Sequence, residues 1–292
     1  MSDAARGIVA MVVACVVWGV SALYYRLLDQ VPPLELLSHR TLWSLVFFLC
    51  LLALQGRVGV WMTAMSDRGN LNRMIAASVF IAANWFFFIF SIQIDQAMQA
   101  SLGYYIFPLV SVVFGLLIFH ETLKPLQWVA IACAVTGVAI LVVAQGQVPW
   151  LALAISASFG LYGVVKKGLS VGPVLSVTTE VLVLAPFAAL FIGWGIVTGQ
   201  AHFADTVCTS VLLMLSGPLT AVPLILFSYA TKRVHLSTIG VLQYLNPTLQ
   251  FFCAVFILAE PFGRGQLYVF SMIWVAVFLY SWAALHGSRG RV

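Results

Sequence analysis

Apolar residues run along this chain in long, nearly uninterrupted stretches, and polar positions gather in short clusters between them. A hydrocarbon core of about 30 Å is crossed by roughly 20 consecutive apolar residues in a helix. Measured against that length, the pattern predicts ten transmembrane helices, over 7–28, 34–54, 73–94, 97–119, 125–144, 148–166, 173–196, 207–230, 237–258 and 265–285. The stretches break at Pro32-Pro33, from Gly56 to Asn70, at Lys124-Pro125, from Gly146 to Pro149, at Gly172-Pro173, from Gly199 to Asp205 and at Glu260-Pro261. Proline and glycine end helices at such points. The longest break, Gln55 to Asn72, leaves no room for a separate domain. Arg6 alone stands before the first stretch as a basic residue, and no small-residue cleavage site follows, so that stretch reads as a retained helix rather than a signal peptide.

Composition agrees with lipid as the main solvent. Of 292 residues, 62% are hydrophobic and 8% charged, against about 25% charged in soluble domains. A cytosolic enzyme, a disordered chain and a nucleic-acid-binding domain are excluded as the whole protein. The net charge of +5 is spread singly and in pairs between apolar stretches, so no nucleic-acid partner is expected and the lipid bilayer is. With ten spans both termini lie on one side. That side carries Arg6, Arg57, Arg68, Arg73, Lys124, Lys166, Lys167, Lys232, Arg233, Arg289 and Arg291, eleven of the fourteen basic residues. Basic residues accumulate on the cytoplasmic side, which makes both termini cytoplasmic. The five cysteines are scattered through apolar stretches without ligand spacing, so neither a disulfide framework nor a metal site is indicated.

The chain also compares with itself at an offset near 140. Trp18-Gly19 matches Phe159-Gly160, Phe90-Ser91 matches Phe227-Ser228, and Tyr105, Pro108 and Glu121 match Tyr244, Pro247 and Glu260 with the same spacing. These matches divide the protein into two five-helix repeats, residues 1–146 and 147–292. An odd number of helices per repeat inverts the second copy about an axis in the membrane plane. Inverted repeats are characteristic of secondary transporters, in which the halves exchange conformations to give alternating access. A duplicated scaffold with no conduction role is the alternative.

The stretches Leu34-Glu35-Leu36-Leu37-Ser38-His39-Arg40, Asn84-Trp85, Ala100 to Pro108 and Leu236-Ser237-Thr238-Ile239-Gly240 resemble the EamA-type drug/metabolite transporters, and within them the RarD group. The resemblance covers essentially the whole chain. It implies a ten-helix basket around a central cavity, and export of amino acids or related small amphiphilic metabolites from a bacterial inner membrane. A multidrug exporter of lipophilic cations in the same superfamily is the alternative. Small multidrug transporters of this superfamily place an essential carboxylate in the first helix. Neither span 1 nor span 6 carries one here, which argues against that cation/proton antiport mechanism.

Within the spans, Glu180 stands out, because an ionised carboxylate in hydrocarbon must face a cavity, pair with a base or hold a proton. Lys166 and Lys167 are its expected partners, in a coupling site or in a structural ion pair. The repeat offset sets His39 opposite Glu180. His39 shares a helix face with Glu35, and could titrate near neutral pH or belong to an interfacial network with Arg26, Asp29 and Arg40. Asn84, Gln243, Asn246 and Gln250 are mid-span amides that need partners, from a substrate or from other helices. Trp18, Trp85, Tyr104, Tyr105, Tyr162 and Tyr244 could stack on a substrate or simply pack. The candidate substrate site is therefore Trp18, Asn84, Tyr104, Tyr105, Tyr162, Gln243, Tyr244 and Asn246, with His39 and Glu180 as coupling residues. Pro108 and Pro247 are the expected kinks, each three residues after a tyrosine, where a lost backbone bond suits a gate. Gly19, Ala22, Gly160 and Gly163 offer close-packing faces, and Glu121 and Glu260 are expected to cap the helix that follows each. Walker, HExxH and GxSxG motifs are absent from the sequence, so neither an ATP-driven pump nor an enzyme is expected, and no cofactor.

Overall fold

A computed structural model describes residues 2–119, 125–145, 148–231, 233, 242–264, 267–268, 270–275 and 278–279. Among them every regular element is helical. The helices are α1 (Asp3–Arg26), α2 (Pro33–Leu54), α3 (Val58–Ser66), α4 (Arg68–Gln93), α5 (Ala97–Phe119), α6 (Pro125–Gln145), α7 (Trp150–Lys167), α8 (Pro173–Thr198), α9 (Val207–Thr231) and α10 (Leu245–Phe252). A single π-helical turn, Cys253–Ile257, follows α10. The first eight expected spans fall on α1, α2 and α4 to α9. Parts of the last two, with Leu236-Ser237-Thr238-Ile239-Gly240, Glu121, Lys124, Lys232, Arg289 and Arg291, lie outside the described residues. Among the described residues five helices, α1, α2, α4, α8 and α9, are long and apolar enough to cross a membrane.

Local chemistry explains the ends. Ser2 caps α1, its hydroxyl accepting from the Ala5 N–H at 3.2 Å, with Asp3 in the first turn and Arg26 in the last, the charge order that the helix dipole favours. The Asp67 carboxylate accepts from the Gly69 N–H at 2.9 Å and so starts α4. Pro33 and Pro173 open α2 and α8 at positions where no helical N–H is needed. Gly199, at φ +69°, closes α8 in the left-handed conformation that glycine adopts without strain.

The two halves of the chain interleave: α5 and α4 pack on α7, α2 on α8 and α9, and α1 on α9 and α10. The closest approach is at Gly217 of α9, where a β-carbon would lie 2.4 Å from the carbonyl carbon of Trp43 in α2. Gly19 of α1 is pressed in the same way against Leu249 of α10, and Gly160 of α7 against Phe114 of α5, whereas Gly163 faces open space. Large apolar side chains remain bare on the outer faces, among them Leu54, Val143, Phe187, Leu190 and Val197. A surface of that kind is stable in lipid.

The break between α2 and α4 contains the short helix α3, which span lengths do not anticipate. One side chain anchors it: Trp61 is buried, and its Nε1–H donates to Thr179 Oγ1 of α8 at 2.9 Å.

Candidate functional site

Glu180 sits in a buried stretch of α8, Leu175 to Val181, with no exposed surface. Lys166, in the last turn of α7, reaches its Oε1 at 2.6 Å, and the Tyr162 hydroxyl donates to Oε2 at 3.1 Å. Four residues separate Tyr162 from Lys166, so both lie on one face of α7. The ammonium also contacts Ser176 Oγ and lies 5.2 Å from the Tyr162 ring centre. The carboxylate is therefore fully engaged by α7 and α8, and Tyr162 belongs to its network.

His39 belongs to a different cluster. It is buried, its ring stacks on Phe203 at 5.0 Å, and its Nε2 is 4.0 Å from Glu35. Glu35 instead takes His202 from the connection between α8 and α9: its Oε1 accepts the His202 backbone N–H, and its Oε2 faces Nδ1, both at 2.7 Å. No hydrogen bond or ion pair among the described residues joins His39 to Glu180.

Asn84 of α4 is saturated by protein groups. Its amide donates to the Ile155 carbonyl at 3.0 Å and to Ser158 Oγ at 3.4 Å, while its oxygen accepts from the Tyr104 hydroxyl at 3.0 Å. Beside it, Trp85 stacks under the guanidinium of Arg40, 4.2 Å from ring centre to Cζ, and Tyr25 lies 5.6 Å away. Arg40 does not join the expected interfacial network. Arg26 makes that network alone, with Asp95 at 2.8 Å and Asp29 at 3.9 Å.

The repeated tyrosines meet. The Tyr105 and Tyr244 rings stack at 6.5 Å, nearly parallel, and the Tyr105 and Thr248 hydroxyls bond at 2.6 Å. Ser101 Oγ donates to the Pro247 carbonyl at 2.8 Å. Leu242 is helical, Gln243 and Tyr244 form a turn, and Pro247 lies in the first turn of α10, which follows that turn. A proline in the first helical turn leaves no intrahelical bond unmade. The Gln243 carbonyl accepts the Asn246 N–H at 3.1 Å, and Asn246 Oδ1 accepts from Gln250 at 3.1 Å. Trp18 of α1 packs on Phe227 at 6.2 Å. Pro108 falls within α5, and its side chain lies outside the described residues.

Glu260 caps a helix remote in sequence. Its two oxygens accept the Ala97 and Met98 N–H groups of α5, at 2.6 and 2.8 Å. Carboxylates favour helix N-termini, and the chain bends to serve one remote in sequence. Burial pushes the Glu260 carboxyl above the ordinary carboxylate range, against the pull of those two N–H groups. Reading the sequence missed this bridge, the Glu35–His202 clamp, the Trp61 anchor and the isolation of Arg40. Arg40 and Glu35 left a signal, as charges inside a predicted span.

A family model described as the EamA-like transporter family matches residues 5–143. The chain is 36% identical over 294 residues to the "uncharacterized transporter YojE" of Bacillus subtilis (strain 168), covering 99% of this chain and 97% of that one. It is 31% identical over 285 residues to "protein RarD" of Escherichia coli (strain K12), covering 97% and 96%. A solved crystal structure matches with a TM-score of 0.60 at 18% identity, covering 94% of this chain and 96% of that one, a likeness of fold.

Proposed function

The chain belongs to the EamA-like transporter family, with relatives of the RarD type, and on that premise we propose that it exports amino acids or related small amphiphilic metabolites across the bacterial inner membrane. It is a membrane transporter and not an enzyme. In this reading ten spans form two inverted halves, 1–146 and 147–292, with both termini cytoplasmic, and transport proceeds by alternating access. Trp18, Asn84, Tyr104, Tyr105, Tyr162, Gln243, Tyr244 and Asn246 face the path, Pro108 and Pro247 mark the gates, and Glu180 and His39 serve coupling.

One observation supports this most directly: equivalent positions of the two halves, Tyr105 and Tyr244, stack on each other. An axis in the membrane plane relating inverted halves would pass between such a pair. A rocking motion must repack these rings, which puts them at a junction where conformation can change.

The test is uptake of a broad metabolite panel into proteoliposomes, with and without a pH gradient. The reading expects amino acids or close relatives to be moved, and Tyr105→Ala and Asn246→Ala to depress the flux. Failure with every amino acid, with both variants leaving any observed flux untouched, overturns it. Strong competition by lipophilic cations supports the multidrug alternative instead.

A further inference from the structure

Arg40 is the one buried cation whose counter-charge is missing among the described residues. It is 7% exposed, lies in α2 and has its Nε fully enclosed without a hydrogen-bond partner. Among the described residues Glu35 is engaged by His202, Asp29 and Asp95 by Arg26, Glu180 by Lys166 and Tyr162, and Glu260 by the start of α5. An unpaired guanidinium inside a membrane protein is costly, and such residues mark substrate or ion pathways.

The surroundings hold the charge by its face and leave its edge unused. Trp85 covers the guanidinium at 4.2 Å and Tyr25 approaches at 5.6 Å. These contacts stabilise the cation through the ring faces. They make no use of the in-plane N–H donors, which are arranged as a fork that fits a planar carboxylate. Tyr104, within electrostatic reach of Arg40, fixes Asn84 beside it.

The geometry points to Arg40 as the binding site for a carboxylate on the transported molecule, with Trp85 and Tyr25 as the walls that preorganise the guanidinium. This rests on the transport reading above and narrows it to monoanionic metabolites or zwitterions with an accessible carboxylate. A single positive charge matches one carboxylate. A phosphate dianion would need a second cation, and among the described residues no lysine or second arginine contacts the cluster. A lipophilic cation would be repelled.

The test uses the full chain in nanodiscs and in proteoliposomes. Equilibrium binding and flux are measured for phenylalanine, leucine and benzoate, each beside its neutral-headed amide. Inorganic phosphate and tetraphenylphosphonium serve as the other probes. The site requires each carboxylate to bind the wild type about tenfold or more tightly than its amide, since charge-assisted bidentate bonds are worth at least that factor. Arg40→Gln then abolishes the discrimination while changing the unfolding temperature of the unliganded protein little, because the lost ring contacts are offset by removal of a buried charge without a counter-ion among the described residues. Arg40→Lys keeps the charge but loses the fork, so its carboxylate affinity falls about tenfold while amide binding stays put.

Equal binding of acid and amide by the wild type overturns the site, as does discrimination that survives in Arg40→Gln. Should Arg40→Gln fail to fold, unchanged carboxylate affinity in Arg40→Lys is equally decisive against it. Tighter binding of inorganic phosphate or of tetraphenylphosphonium than of any carboxylate also overturns it. If the panel is transported without discrimination, only the role of Arg40 falls. If none of it is transported and every other amino acid fails as well, the exporter reading falls too.

Discussion

Removing one partner of the Lys166–Glu180 pair separates a structural role from a coupling one. Glu180 has a side chain 1% exposed and Lys166 one 22% exposed. Breaking a buried pair costs about 3–5 kcal/mol, because a charge is left uncompensated. The two single variants are therefore unequal. In Glu180→Gln the stranded ammonium keeps Ser176 and the Tyr162 ring and reaches water, so the loss falls near or below about 3 kcal/mol. In Lys166→Met the stranded carboxylate is enclosed with only the Tyr162 hydroxyl, so the loss approaches about 5 kcal/mol or the acid takes up a proton. The double variant strands no charge and returns to within about 1 kcal/mol of wild type. Unfolding in detergent, run as a double-mutant cycle, measures the coupling. Additive losses, or a double variant no better than Lys166→Met, refute the reasoning. The stable double variant then carries the functional question: if Glu180 handles a coupling proton, that variant folds but no longer responds to a pH gradient.

Three further outcomes follow from named contacts. Gly217→Ala places a methyl 2.4–2.7 Å from backbone atoms of Trp43 and Ser44, so α9 must move away from α2, and a loss of about 1–3 kcal/mol is expected in thermal unfolding. Trp61→Phe removes one hydrogen bond to Thr179, costing about 1 kcal/mol, and limited proteolysis should cut within 55–67 sooner than in wild type. Glu260→Gln leaves one of the Ala97 and Met98 N–H groups facing an amide donor and lowers stability at neutral pH by about 1–3 kcal/mol. It also removes a pH dependence. Because burial raises the Glu260 pKa in the fold, the folded state takes up its proton at a higher pH than the unfolded chain. That contribution is most favourable below the ordinary glutamate pKa and is lost as pH rises through the raised one. Melting temperatures across that interval should slope for wild type and flatten in the variant; parallel curves would contradict the assignment.

Length and hydropathy were enough to read α1, α2 and α4 to α9 from the sequence, because lipid sets a minimum span that a run of apolar residues either meets or does not. Partners were another matter. Glu180 announced itself as a charge in hydrocarbon, and Lys166 was close enough in sequence to be named. Glu260 and Glu35 were not traceable, since their partners Ala97, Met98 and His202 are donors supplied by backbone or loop and carry no pattern of their own. Asn84 stood out by polarity, and its partners Ile155, Ser158 and Tyr104 could not be named from the sequence. Polarity within a span shows that a partner is needed, not which one. Helix α3 escaped for a similar reason: nine residues are too few for a span, and what holds them is one indole on Thr179.

The ties between the two halves are uneven, and their placement orders the motions open to the protein. At the end that carries the α1–α2 and α4–α5 connections, Glu35 holds His202 through two contacts and Glu260 holds the start of α5 through two more. All four involve a buried carboxylate. At the opposite end the halves meet through Trp61 on Thr179, Asn70 with Ser170 and Arg73 on the Gly168 carbonyl, the last exposed. Hydrogen bonds to charged groups contribute about 1.5–3 kcal/mol and neutral ones about 0.5–1.5, and exposure weakens an ionic contact further. Opening the first end therefore means uncovering two desolvated carboxylates together, a cooperative step, whereas the second end can separate bond by bond. Arg40 lies in α2 just beyond Glu35, next to the stronger closure. At the proposed Arg40 site, a carboxylate arriving from the looser end would neutralise the buried cation before the tighter end opens.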